Sequence, residues 1–177
     1  IEHTDLVGEV RQVIEALQIP PHVLVLEITE SVLMQNATAA IDQLTRLKQL
    51  GVRIALDDFG TGYSSLSHVH RFPIDILKID RSFIDGLKKN DGSELVRAII
   101  SLANALDLDV VAEGIEKIEQ LAHLQRLGCT YGQGYYFGKP ESAESTRQLL
   151  KHTARLPRLA LVAGEAGSAG PRANAML

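Results

Sequence analysis

Ile54-Ala55-Leu56-Asp57-Asp58-Phe59-Gly60-Thr61-Gly62-Tyr63-Ser64-Ser65-Leu66 is the stretch on which the fold turns. An apolar run meets two adjacent aspartates, then glycines at 60 and 62, then Tyr-Ser-Ser. An apolar run that closes on carboxylates reads as a buried parallel strand with its charges at the mouth. Gly60 and Gly62 permit a backbone path that residues with side chains resist. Neighbouring carboxylates repel each other and are costly to bury unless a cation lies between them. The plainer alternative is a strand end whose aspartate caps the next helix.

Outward from this stretch, strand and helix patterns alternate. Leu6, Val10, Val13, Ile14 and Leu17 recur at helical spacing over residues 5–17, with Thr4 or Asp5 as cap and Pro20-Pro21 as stop. Residues 23–29 read as a strand, apolar and β-branched with a single acid, Glu27. Residues 31–50 read as mostly helical, ended by Gly51. Strands are expected at 52–56, 75–80, 110–113 and, interrupted by glycine, 131–137. Helices are expected at 94–106, 118–127 and 144–152, with a short helical connection at 65–71. Strict alternation points to an α/β protein of parallel strands joined by crossover helices.

The chain has 177 residues, 45% hydrophobic and 23% charged, enough for one globular domain with a sizeable core. A formal net charge of -4 gives no general attraction to a nucleic acid polymer or an anionic membrane. The lone Cys129 suits a reducing compartment, and cytoplasmic location is expected. No apolar run reaches the roughly 18 residues a membrane span needs, and no signal peptide is seen. The opening Ile1-Glu2-His3-Thr4 lacks Met and reads as the interior of a longer protein. Residues 1–156 are expected to form the domain and 157–177 a disordered tail, Ala/Gly-rich from Ala160.

Charged residues close four of the five expected strands: Glu27, the pair Asp57-Asp58, Lys78 and Glu113. Gln133 lies in the fifth. All would share the C-terminal side of a parallel sheet, where α/β barrels and open α/β sheets place their active sites. Hard oxygen ligands suit Mg²⁺ or Mn²⁺. Two such ions can hold a phosphodiester, activate water and stabilise a leaving oxygen. A lysine there can orient water or neutralise charge; the simpler reading is a salt bridge to Asp57 or Asp58. His68 and His70 read as surface residues rather than ligands.

Five stretches carry a more specific signal: Leu26-Glu27-Ile28-Thr29-Glu30-Ser31, Asp57 to Leu66, Leu77-Lys78-Ile79-Asp80-Arg81-Ser82-Phe83, Val111-Ala112-Glu113-Gly114-Ile115-Glu116 and Gln133-Gly134-Tyr135-Tyr136-Phe137. In order and spacing they resemble the successive motifs of the EAL domain family, bacterial phosphodiesterases of cyclic di-GMP. The resemblance implies a TIM-like (β/α)8 barrel with one antiparallel strand, and Mg²⁺- or Mn²⁺-dependent hydrolysis of cyclic di-GMP to linear pGpG. It implies that Glu27 and Asp57 are ligands of a first metal and Asp58 of a second. Lys78 would position the nucleophilic water, and Glu113, near the second metal, would serve as base. Glu30 would brace the loop after Asp58, although helix N-terminal stabilisation is its plainer role. Gln133 and Pro140 would bind the nucleotide. Residues 59–65 would couple the metal site to a homodimer interface. Upstream sensory or GGDEF-type domains are expected in the parent protein, which such domains can anchor to a membrane; this chain itself is expected to make no membrane contact.

The sequence also departs from that family. Glu15-Ala16-Leu17 lies inside an amphipathic helix just before Pro20-Pro21 and reads as a coincidence, not as the signature strand. The signature Glu and a later Asn ligand are expected on strands preceding Ile1. About five C-terminal strands with their helices are therefore expected, an incomplete barrel with an exposed strand edge that invites aggregation or exchange. Such a chain should bind metal poorly and hydrolyse slowly, while the unsubstituted acids and lysine suit a competent parent. The alternatives are a cyclic di-GMP sensor that does not hydrolyse and a dimerisation scaffold. Carboxylates and a lysine alone do not name a substrate.

Overall fold

Asp5 opens the first helix: its carboxylate accepts a hydrogen bond from the Gly8 N–H at 3.1 Å, as expected of an N-cap. The computed structural model describes residues 5–60, 70–88 and 90–151. Gly62, most of the expected connection at 65–71, His68 and the expected tail at 157–177 lie outside the described residues. Helix α1 spans Leu6–Leu17, followed by a single 3₁₀ turn at Pro21–Val23. That turn delays strand β1 to Val25–Thr29, two residues later than the pattern predicts.

One continuous helix over 31–50 is not what forms. Asn36, with φ of -150°, separates α2 (Glu30–Gln35) from α3 (Ala37–Gln49). Its side chain accepts from the Ala39 N–H at 3.2 Å, so it caps the second helix and its backbone breaks the first. Strand β2 is Arg53–Phe59 and carries both aspartates inside the strand, where the pattern predicts its end at Leu56. Strand β3 is Ile76–Ile79. The next short helix, α4 (Arg81–Asp85), escaped the sequence reading. Its signal was Asp80, which caps it by accepting from the Ser82 N–H at 2.9 Å. Then come α5 (Asn90–Ala105), β4 (Asp109–Ala112), α6 (Ile118–Arg126), β5 (Tyr131–Gly132) and α7 (Ala143–Lys151).

The fifth strand is much shorter than the expected 131–137. After Gln133 the backbone turns onto the loop following β4. The Ile115 N–H donates to Gln133 O at 3.0 Å and the Tyr136 N–H to Ile115 O at 2.9 Å. A Cβ at Gly134 would lie 2.2 Å from Ile115 O. Only glycine permits this approach, and it ends the strand.

The five strands are all parallel and lie in the order β1-β2-β3-β4-β5. Each crossover steps to the next neighbour in one direction, which is the winding of a TIM-like barrel; a doubly wound sheet reverses its order. β3 is buried at every position, and Ile54, Ala55 and Leu56 of β2 are at most 1% exposed. Strands covered on both faces explain the unbroken apolar runs. At the N-terminal side of the sheet, Lys48 pairs with Asp75 and Arg53 with Asp109. Asp75 also accepts from the Ile54 N–H at 2.8 Å. Among the described residues, no helix is long and apolar enough to cross a membrane.

Cys129 is 6% exposed, and its thiol donates to Tyr131 O at 3.3 Å. Burial pushes that thiol up to about 11. A thiol reagent at about pH 8 is therefore expected to label Cys129 only as fast as the fold opens, because the thiolate is the reactive form. Immediate labelling under native conditions would contradict this packing.

Candidate active site

Asp57 and Asp58 are neighbours in a strand, where successive side chains normally point to opposite faces. Here Asp58 has φ of 55° and the pairing of β2 with β3 is irregular between Leu56 and Phe59. A bulge of this kind re-aims a side chain, and aspartate tolerates the left-handed conformation better than most residues. The Asp58 N–H donates to Asp57 Oδ1 at 3.0 Å. One carboxylate oxygen from each of Asp57, Asp58 and Glu113 can be chosen so that all lie within 4.8 Å of one another.

Glu113 follows β4 directly, and its N–H donates to Ile79 O at 3.1 Å, which holds it against β3. Lys78, in the middle of β3, is only 5% exposed. Its Nζ lies 2.7 Å from Glu27 Oε2, 2.7 Å from Glu113 Oε1 and 3.1 Å from Asp57 Oδ1. Its three N–H donors are thus matched by carboxylates from β1, β2 and the end of β4. The predicted strand-end residues are brought together, and Lys78 bonds not only to Asp57 but also to Glu27 and Glu113.

The electrostatics follow from this packing. Burial pulls the Lys78 ammonium down, but hydrogen bonds to Glu113, Glu27 and Asp57 outweigh it and hold the lysine above its ordinary value. Burial raises the Glu113 carboxyl, with Lys78 countering only in part. Asp58 is likewise raised, by burial and then by the charges of Asp57 and Asp80.

Glu30 is the first residue of α2 and is 5% exposed. Its Oε2 accepts from the Gly60 N–H at 3.3 Å, linking the helix after β1 to the chain leaving β2. Beyond Gly60, residues 61–65 of the expected coupling loop lie outside the described residues. Gln133 lines a cleft of about 250 Å³ together with Glu113, Arg81, Glu116 and Tyr135. Pro140 is exposed and does not line this cleft, and His70 is exposed.

Arg81, Glu116 and Tyr135 stand in the quoted motifs but were given no role in the sequence reading. Arg81 Nη2 pairs with Glu116 Oε1 at 2.9 Å and Nε with Asp85 Oδ2 at 3.2 Å. Its stem crosses Gly114, where a Cβ would come within 2.4 Å of Arg81 Cγ. The signal that could have located Arg81 is Gly114, a glycine with φ of 69° directly after a strand-end acid.

The sequence model described as the EAL domain matches residues 1–140. Cyclic di-GMP phosphodiesterase NbdA of Pseudomonas aeruginosa is 44% identical over 147 residues, which are 82% of this chain and 19% of NbdA. The solved structure of the PaMucR phosphodiesterase in complex with c-di-GMP matches with a TM-score of 0.78 at 44% identity, covering 82% of this chain and 59% of that one. The EAL domain of Mycobacterium smegmatis DcpA matches with a TM-score of 0.80 at 40% identity, covering 85% of this chain and 69% of that one. The chain spans 17–20% of the length of the first curated relatives it matches.

Two outcomes are expected from this geometry. Replacing Glu30 with Ala should cost about 0.5–1.5 kcal/mol in urea unfolding through loss of its hydrogen bond to the Gly60 N–H, and Glu30→Gln should recover most of that. A folded pKa for Lys78 above its unfolded 10.5 means that its stabilisation is present in full below about 10.5 and lost as pH rises through the folded value. From about neutral pH to about pH 10 the stability difference between wild type and Lys78→Met should therefore stay flat, and it should shrink above that.

Proposed function

The chain belongs to the EAL domain family, and from that premise we propose that it is part of a phosphodiesterase that hydrolyses cyclic di-GMP to linear pGpG with Mg²⁺ or Mn²⁺. The observation that carries this reading is the convergence of Glu27, Asp57 and Glu113 on Lys78, with Asp58 turned toward the same acids by its bulge. The donor set fits such an ion: it consists of carboxylate oxygens, the hard ligands these cations prefer. Glu27 and Asp57 would hold a first ion and Asp58 a second. Such ions lower the pKa of bound water and neutralise phosphate oxygens.

The protein's own groups supply the rest. Lys78 would orient the attacking water with a donor released when an ion draws on the carboxylates it now bonds, and its charge offsets that of the phosphodiester. Glu113, its carboxyl raised by burial, accepts the proton from that water. Gln133 contacts the nucleotide from within the cleft beside Glu113, and Pro140 would meet it outside that cleft. Glu30 keeps the chain after Asp58 in place through Gly60. A homodimer, and upstream sensory or GGDEF-type domains, belong to this reading; the relative MucR of Pseudomonas aeruginosa is named a bifunctional diguanylate cyclase/cyclic di-GMP phosphodiesterase. The activity proposed is that of the complete domain, with the present chain alone turning over slowly.

The test is cyclic di-GMP turnover with Mg²⁺, followed by chromatography of pGpG, on this chain and on a version extended upstream. The extended chain should produce pGpG, and Asp57→Ala or Glu113→Ala should lower its rate by at least about 10²-fold. Binding of cyclic di-GMP without turnover in either chain would replace this reading with a sensor.

A further inference from the structure

We propose that Lys78 is a built-in counter-cation that keeps the carboxylate site assembled when no divalent ion is bound, and that it competes with the ion for the same oxygens. The inference rests on the reading of these carboxylates as a metal site. It concerns what Lys78 does to the site before any substrate arrives.

Four carboxylates, those of Glu27 on β1, Asp57 and Asp58 on β2, and Glu113 just after β4, gather around Lys78 of β3. Left without a cation they would repel one another, and those with little exposure could not relieve the repulsion through water. Side-chain exposure is 21% at Asp57 and 18% at Glu113. Lys78 resolves this from inside. Its own side chain is 6% exposed, and its Nζ reaches one oxygen of each of Glu27, Asp57 and Glu113 at 2.7, 3.1 and 2.7 Å. The acids are thereby held in a shared arrangement by a cation that is part of the chain.

The same contacts set a penalty on metal binding. Glu27 Oε2, Asp57 Oδ1 and Glu113 Oε1 already accept from the ammonium. An ion that draws on these oxygens weakens those hydrogen bonds. A lysine this deeply buried has little water to turn to, so the lost pairing is poorly replaced. Lys78 therefore pushes two measurable quantities in opposite directions: it raises the stability of the metal-free fold and lowers the affinity for the ion. A lysine with a structural role alone would change only the first. A lysine that only orients water would leave affinity unchanged.

The experiment uses the full chain with Mn²⁺ as probe, reading affinity by titration calorimetry and melting temperature with and without the ion. Lys78→Met is expected to melt lower than wild type without Mn²⁺, to bind Mn²⁺ at least about ten-fold tighter, and to gain more melting temperature from the ion. Lys78→Arg, which keeps the charge, should stay close to wild-type affinity. If Lys78→Met is unfolded without metal, recovery of the native far-UV spectrum on adding Mn²⁺ supports the proposal, and failure to recover overturns it. Affinity in Lys78→Met equal to or weaker than wild type overturns it, as does the absence of Mn²⁺ binding in both proteins. Tighter Mn²⁺ binding in Lys78→Met without any turnover by the extended wild-type chain would remove the phosphodiesterase reading and leave this one standing. Turnover with unchanged affinity would do the reverse.

Discussion

A parallel sheet aims all its C-terminal ends the same way, so charged residues placed there must share one neighbourhood. In this protein that neighbourhood is organised by a single ammonium group. Lys78 draws in acids from β1, β2 and the end of β4, and it does so from the most completely buried strand of the sheet. Strand order, register and charge are mutually dependent here. A slip of one residue in β3 would send the Lys78 side chain to the other face and leave the acids facing one another unshielded. At the opposite side of the sheet Lys48 pairs with Asp75 and Arg53 with Asp109, through cations far more exposed than Lys78. Both sides carry charge, but of these three cations only Lys78 is buried.

Much of this was legible in the sequence, for physical reasons. Alternating apolar runs and helical periodicities give parallel strands and crossovers because buried parallel strands have no polar face to interrupt them. The first four strands stand where the pattern predicts, within a few residues, and the fifth begins where expected but stops after Gly132. Glu27, Asp57, Asp58, Lys78 and Glu113 could be selected because each ends or interrupts an apolar run. In a parallel sheet, sharing an end in sequence pattern means sharing an end in space. What could not be read are features decided by hydrogen bonds between distant segments. Asn36 breaks a helix that its neighbours' periodicity would continue. The fifth strand stops after Gly132 because Gln133 and Tyr136 bond to Ile115 in another loop. Arg81, Glu116 and Tyr135 reach the cleft along a path set by Gly114 and Gly134, and nothing in their own spacing announces it.

Membership in the EAL domain family and the local geometry meet at one point. The match over residues 1–140 covers every strand and every acid discussed, so the charge cluster belongs to the shared domain and not to an appended segment. The family supplies the chemical context, and the structure adds how the acids are held: by strand pairing, by one buried lysine, and by a bulge.

That bulge at Asp58 separates architecture from chemistry at a single position. Its backbone adopts a left-handed conformation that glycine and asparagine also accept readily, whereas β-branched residues resist it. Among the described residues no other acid within a strand has a positive φ. An evolving lineage could therefore trade the Asp58 carboxylate for an amide or a hydrogen in one step and keep the strand's path. Loss of the charge need not mean loss of the shape, and a descendant without the carboxylate could retain the outline of this end of the sheet.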